Sequence, residues 1–134
     1  LQGALLELKK AERENPHDAE VHYFMAETYR RMGKTDKALT HINRAIREAH
    51  RLGLERPGLK SDALNTKGAI LAEQGETPAA IKAFNQALLD ELYTTPEYAL
   101  FNLGNVYVMG YFNGRIYRLT SASAGDNIFA DQFE

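Results

Sequence analysis

The side chains of this sequence that could take part in chemistry are few and far apart. Its four histidines are His17, His22, His41 and His50. None of them forms the HExxH pattern, in which two histidines of one helix hold a zinc ion and a glutamate acts as general base. No spacing puts two histidines on one helical face beside a carboxylate. We therefore predict histidines on the surface or in a groove, and no metal site.

Other catalytic groups have equally little support. The chain has no cysteine, which excludes a disulfide framework, a thiolate metal site and a cysteine nucleophile. The carboxylate pairs Glu12/Glu14 and Asp90-Glu91 lie in exposed helical contexts, without the apolar flanks that raise a carboxyl pKa. The sequence also lacks a glycine-rich phosphate loop that ends in Lys-Ser/Thr. We therefore predict that the protein is not an enzyme and needs no cofactor.

Charge is distributed unevenly along the chain. Residues 1–60 contain 12 Lys/Arg and 9 Asp/Glu, whereas residues 61–134 contain 4 and 9. Arg44, Arg47 and Arg51 share one helical stripe, but Glu48 interrupts it and no aromatic residues alternate with it, so a nucleic-acid interface is not indicated. No apolar run approaches the roughly 18 residues of a membrane span. We expect neither nucleic-acid binding nor direct membrane insertion by this chain.

A repeated spacing indicates which elements must position the polar residues. An alanine followed by a bulky residue four positions later occurs as Ala4/Leu8, Ala38/Ile42 and Ala80/Phe84. A bulky residue, then a small and another bulky one, occurs as His22/Ala26/Tyr29, Leu64/Gly68/Leu71 and Leu100/Gly104/Tyr107. The small residues allow two helices to approach closely, and the bulky ones fill the space between them. Since such a helical hairpin cannot bury its apolar face alone, the hairpins must stack into a solenoid.

This pattern resembles the tetratricopeptide repeat (TPR), which has Leu-Gly, Tyr, Ala-x3-Phe and Pro at a 34-residue period. The resemblance covers residues 1–112. It implies an all-α, right-handed superhelical α-solenoid of antiparallel helix pairs with about three repeats. The expected parts are a partial-repeat helix over 1–15, a repeat over 19–52, an insertion loop over 53–60, a repeat over 61–92 and the start of a further repeat over 96–109. Residues 113–134 are expected to form a degenerate helix and a tail.

Turn residues agree with this division. We expect Gly33, Gly75 and Gly110 to lie in the turns between helices. Thr35 is expected to cap the helix that follows it, and Pro78 to occupy a first helical position. The repeat that contains the insertion is eight residues too long. The insertion is either a tolerated surface loop, because added loop length costs little entropy, or a protrusion that contacts a partner.

In the TPR architecture the first helix of each pair lines a concave groove, so the resemblance implies a binding surface there. The expected groove residues are Tyr23, Glu27, Arg30, Arg31, Asn65, Ala69, Ala72, Glu73, Phe101, Asn105 and Val108. Aromatic residues and arginine anchor many interfaces, and Tyr23 and Phe101 flank a floor of small residues. We predict that a peptide or helix segment binds in this groove. The alternative is that both aromatic residues pack on neighbouring helices.

A carboxylate clamp for acidic C-termini is disfavoured, because no lysine on the groove face of the neighbouring helices accompanies Asn102 and Asn105. Residues 92–104, LYTTPEYALFNLG, are similar to a segment of the bacterial type IV pilus pilotins. These are TPR lipoproteins that help an outer-membrane secretin assemble. The resemblance implies a protein-binding scaffold with a role in cell-envelope or pilus assembly. The alternative is a regulatory or sensory TPR module of a larger cytosolic protein.

The sequence leaves the wider context of the chain open. The chain begins at Leu1, inside a repeat helix, so we expect it to be an excerpt of a longer protein. It is compatible with a cytoplasmic or a periplasmic location. The ends of the solenoid or the C-terminal tail could also support self-association, because end repeats expose apolar surface.

Overall fold

Six α-helices make up the computed structural model, which describes residues 1–90 and 95–112, with side chains up to residue 107 in the last helix. The helices are α1 (Gln2–Glu14), α2 (Ala19–Arg31), α3 (Thr35–Leu52), α4 (Leu59–Glu73), α5 (Thr77–Leu88) and α6 (Pro96–Phe112). Each helix packs against the next, and α2, α4 and α6 also contact one another in that order. The expected all-α solenoid of stacked helix pairs is confirmed. In the described part of the chain, no helix is both long and apolar enough to cross a bilayer.

Glycines end the helices where a left-handed backbone is needed. Gly33 and Gly75 have φ angles of 74° and 80°, a region that favours glycine because it has no Cβ. The expectation that Thr35 caps α3 is wrong. The cap position is Lys34, whose carbonyl already accepts the N–H of Ala38 at 3.0 Å, and no side chain bonds the helix end. The expectation for Pro78 is also wrong by one position, because α5 begins one residue earlier.

One glycine is required by close helix packing. A Cβ added at Gly68 would lie 2.5 Å from Cε1 of Phe84, so α4 and α5 can approach this closely only with glycine at that position. A Cβ at Gly104 would meet no described atom within 4 Å. Since the chain that follows α6 lies outside the described residues, the expected tight approach at Gly104 stays a prediction.

The structure places the insertion and the last helix differently from the sequence prediction. α3 extends to Leu52, and a short 3₁₀ turn follows at Gly53–Glu55. α4 then begins at Leu59, inside the expected 53–60 loop, directly after Gly58 with its φ of 84°. α6 runs past Gly110, so the prediction of a turn at that glycine is wrong. The predicted degenerate helix and tail over 113–134 lie outside the described residues.

Candidate functional site: the concave groove

The first helices of the three pairs line one continuous groove. Its central cleft has a volume of about 490 Å³. The lining residues are Tyr23, Glu27 and Arg30 of α2; Asp62, Asn65, Thr66 and Ala69 of α4; and Thr95, Tyr98 and Asn102 at α6. Within each helix these residues are three or four positions apart, apart from the adjacent pair Asn65 and Thr66, which places them on one side of the helix. The cleft therefore presents side chains of three successive helices to a single bound segment.

Charged groups hold the wall between α2 and α4 in place. The Thr66 hydroxyl donates a 2.8 Å hydrogen bond to Oε1 of Glu27. Nε of Arg30 donates to Oε1 of Glu73, also at 2.8 Å, and its guanidinium lies 3.7 Å from Oε2 of Glu27. Hydrogen bonds to charged groups are stronger than neutral ones. This wall is therefore ordered before any partner arrives.

Tyr23 lies at the bottom of this wall, half-buried and hydrogen-bonded to Thr66. Burial raises the pKa of the Tyr23 phenol above its ordinary value of 10.0, and the carboxylates of Glu27 and Asp62 act in the same direction. The hydrogen bond between Tyr23 and Thr66 and the charge of Arg30 oppose this shift. At neutral pH the phenol is therefore protonated and can donate as well as accept a hydrogen bond.

The wall between α4 and α6 consists of amides and one carboxyl group. Nδ2 of Asn102 donates to Oδ1 of Asn65 at 3.0 Å, and the Thr95 hydroxyl donates to Oδ1 of Asp62 at 3.4 Å. Burial raises the pKa of Asp62, against the hydrogen bond from Thr95, which lowers it. An Asn side chain has two N–H donors and a carbonyl acceptor. The two asparagines can therefore bond to each other and to a peptide backbone at once.

The groove continues towards the C-terminal ends of α2 and α4. A second cleft of about 390 Å³ includes Ala72, Glu73 and Asn105, and shares Arg30, Ala69 and Asn102 with the first. Eight of the expected groove residues thus line the two clefts: Tyr23, Glu27, Arg30, Asn65, Ala69, Ala72, Glu73 and Asn105. These positions show where the residues lie; whether they bind a partner remains a proposal.

Three expected residues do not fall in this lining. Arg31 lines another hollow, between α1 and α2, together with Ala4 and Leu8. Phe101 is exposed, with 69% of its surface accessible, and the aromatic residue of α6 in the cleft is Tyr98 instead. The side chain of Val108 is outside the described residues.

The sequence interpretation missed five residues that line the central cleft. They are Asp62, Thr66, Thr95, Tyr98 and Asn102. A signal for one of them was present, because Asp62 precedes Asn65 by three positions on the same helix. Extending the groove stripe of α4 one turn towards its N-terminus would have found it.

A second group of polar residues lies on α1, α2 and α3, outside the groove. Ligand atoms of Glu12, His22 and His41 lie within 4.8 Å of one another, so these residues could hold a metal ion. Burial lowers the pKa of His41; Glu12 opposes that shift, whereas His22 and the cations of nearby Arg44 and Lys9 add to it. The sequence prediction of no metal site overlooked this group. Its members come from three helices, which no spacing rule within one helix can detect.

Comparison with known proteins agrees with the helical architecture. No curated protein matches the chain. The family profile described as tetratricopeptide repeat matches residues 6–88, which extend from α1 to the end of α5 and make up more than half of the chain. The matched region contains two complete hairpins, α2/α3 and α4/α5, with Phe84 packed over Gly68 as the repeat requires. The protein therefore belongs to the tetratricopeptide repeat family.

Proposed function

We propose that this protein is a non-catalytic interaction scaffold that binds an extended segment of a partner protein in the groove of α2, α4 and α6. TPR repeats generally mediate protein–protein interactions. The single observation that carries the proposal is the central cleft, in which three successive helices converge with ordered polar groups on its walls. An ordered site lowers the entropic cost of binding.

The chemistry of the cleft favours a partner segment that carries a basic residue. Glu27, Asp62 and Glu73 lie at the two clefts, and the cation among their lining residues is Arg30. Arg30 contacts Glu27 and Glu73, whereas Asp62 accepts a hydrogen bond from a hydroxyl group. A carboxylate has about four acceptor positions. Asp62 is therefore the expected partner of a lysine or arginine in the bound segment.

The amides and the exposed aromatic residues complete this description of the partner. Asn65 and Asn102 can bond a peptide N–H and C=O. Tyr98 and Phe101 are 61% and 69% exposed on α6, and large aromatic side chains commonly act as anchors at interfaces. The bound segment is thus expected to place an apolar side chain against α6 and a basic one near Asp62.

A displayed peptide library selected on the parent chain tests this proposal. We expect the selected peptides to be enriched in Lys or Arg beside an apolar residue. Their affinity should fall at least about tenfold for Asp62→Asn and for Tyr98→Ala, since interface anchors contribute more than about 1.4 kcal/mol each.

Two changes at exposed residues serve as matched controls. Asn43→Ala is the control for the amide change and Asp36→Asn is the control for the carboxyl change. Both lie on α3, the second helix of its pair. If the selected peptides bind Asp62→Asn, Asn65→Ala and Tyr98→Ala as tightly as the parent, the groove is not the binding site.

We infer a more specific role, assembly of a cell-envelope or pilus structure, from the pilotin-like residues 92–104 alone. If this role is correct, deleting the gene in its source organism reduces the amount of assembled secretin or surface pili. Restoring the Asp62→Asn variant should then give only partial recovery. Normal secretin assembly in the deletion strain would contradict this role and favour a regulatory module, while leaving the groove proposal intact.

A further inference from the structure

Three polar side chains converge where α1, α2 and α3 meet. Nδ1 of His22 lies 3.1 Å from Nδ1 of His41, and Oε2 of Glu12 lies 3.6 Å and 3.7 Å from these two nitrogens. His22 is 2% exposed, and the side chains of His41 and Glu12 are 12% and 28% exposed. The group is thus largely enclosed, with its open side at His41 and Glu12.

One hydrogen bond fixes the form of His22. Its Nε2 lies 2.6 Å from the carbonyl oxygen of Pro16, and a carbonyl can only accept, so Nε2 carries the hydrogen. The neutral ring therefore presents an unprotonated Nδ1 to the other two side chains. Histidines that bind metals usually donate their second ring nitrogen to a carbonyl or carboxylate in this way.

Glu12 supplies an independent indication of a cation site. Its Oε2 is buried and, among the described residues, has no hydrogen-bond partner. A buried acceptor without a partner costs about 1–3 kcal/mol, and more when it is charged. In this arrangement Nδ1–H of His41 can donate a hydrogen bond to Nδ1 of His22. Oε2 of Glu12 is then left without a donor among the described residues. A cation placed between the three atoms would remove this cost.

In the following repeat, apolar residues occupy the positions that correspond to Glu12, His22 and His41. Glu12 corresponds to a position 34 residues later, and His22 and His41 to positions 42 residues later, because the insertion lies between them. The corresponding residues are Ile46, Leu64 and Ala83. Leu64 and Ala83 are buried, and Ile46 packs against the cluster of Leu64. Three potential metal ligands thus replace three apolar residues in one of two equivalent junctions.

We propose that Glu12, His22 and His41 bind a zinc ion that links α1 to the α2/α3 hairpin. A triangle with the three measured sides has its centre about 2.0 Å from each corner. An ion slightly out of this plane, as tetrahedral geometry requires, would therefore lie only a little over about 2.0 Å from each ligand atom, close to the usual length of a zinc–imidazole bond. Two imidazoles and one carboxylate leave a fourth tetrahedral position for water, on the open side near His41. Imidazole ligands suit zinc better than magnesium or calcium, which prefer oxygen.

Binding requires a small rearrangement of the two rings. Their centroids are 5.4 Å apart and their planes differ by 24°, so the two Nδ1 atoms point towards each other. Zinc would replace the hydrogen between them, His41 would adopt the Nε2–H form, and each ring would tilt towards the ion.

Zinc titration of the whole chelator-treated chain tests the proposal. We expect one ion per chain by calorimetry and a higher melting temperature with zinc than with EDTA. Glu12→Gln keeps the size of the side chain and changes a partly exposed residue, so it should remain folded. It should bind zinc at least about tenfold more weakly, as should His41→Gln, because even residues that only orient a metal ligand contribute tenfold or more.

The surface histidines provide matched controls. His17 and His50 are exposed and lie outside the group, so His17→Gln and His50→Gln should bind zinc like the parent. Nuclear magnetic resonance of the ring nitrogens should show zinc shifting Nδ1 of His22 and His41. The proposal is overturned if the chain binds no zinc, if Glu12→Gln and His41→Gln bind it unchanged, or if zinc shifts only the rings of His17 and His50.

Discussion

Two equivalent helix junctions of this protein are built from opposite kinds of residue. The junction of α1, α2 and α3 contains Glu12, His22 and His41, and the junction of α3, α4 and α5 contains Ile46, Leu64 and Ala83. Both junctions use the same repeat positions, although the connection before α4 contains the insertion. The repeat therefore leaves the chemistry of the residues at these positions free. The apolar junction is stabilised by burial. The polar one depends on its members satisfying each other, or a shared ion.

The largest effect is expected from bringing a lone polar group into the apolar junction. Leu64→His should lower the free energy of unfolding by about 2–5 kcal/mol, because it combines lost packing with a buried imidazole that has no matching partners. Chemical denaturation monitored by circular dichroism measures this change. The control is Leu54→His, at a position that is 79% exposed and should change stability by less than about 0.5 kcal/mol. Equal effects of the two changes would mean that the junctions are not packed as described.

A somewhat smaller effect is expected where the second hairpin needs a glycine. Gly68→Ala should cost about 1–3 kcal/mol, because the new methyl group meets the Phe84 ring. Gly3→Ala is the control change, at a glycine of α1 where a Cβ meets no described atom within 4 Å. It should be neutral or stabilise by up to about 1 kcal/mol through helix propensity. A parent-like melting temperature for Gly68→Ala would contradict the close helix approach.

A third change replaces the three polar residues of the first junction by the apolar residues of the second. The triple variant Glu12→Ile, His22→Leu, His41→Ala should be as stable as the metal-free parent or more stable by about 1 kcal/mol, because replacing all members of a polar group can be nearly neutral. Its melting temperature should no longer depend on zinc. A melting temperature that still rises with zinc would show that the ion acts elsewhere.

The smallest effect concerns the pH dependence of the groove. The pKa of Asp62 is raised by burial from its ordinary value of 3.8, so the folded chain holds this proton more tightly than the unfolded chain. The group therefore favours folding below pH 3.8, and this contribution is lost as the pH rises through the raised pKa. Asp62→Asn should stabilise the protein at neutral pH by less than about 1 kcal/mol, since the site is partly solvated. The gain should shrink as the pH falls towards 4; a gain that is constant with pH would exclude this cause.

Repeat spacing was enough to predict the helical solenoid, the helix pairs and the requirement for glycine at Gly68. It also placed most of the cleft lining, since positions such as Tyr23, Glu27 and Arg30 follow the helical period. It could not decide whether Tyr98 or Phe101 faces the cleft, because that depends on the rotation of α6 against α4. The contact of His22 with His41 joins residues 19 positions apart on different helices. Such a contact follows from how the hairpin closes, and residue spacing does not contain it.

The acidic lining of the groove has a consequence for the speed of binding. Glu27, Asp62 and Glu73 give the clefts more negative than positive side chains, and such a field attracts a cationic segment before contact is made. The association rate of a basic peptide should therefore fall steeply as salt is added, while its dissociation rate changes little. Capture of a partner would then depend on the ionic strength of the compartment in which the two proteins meet.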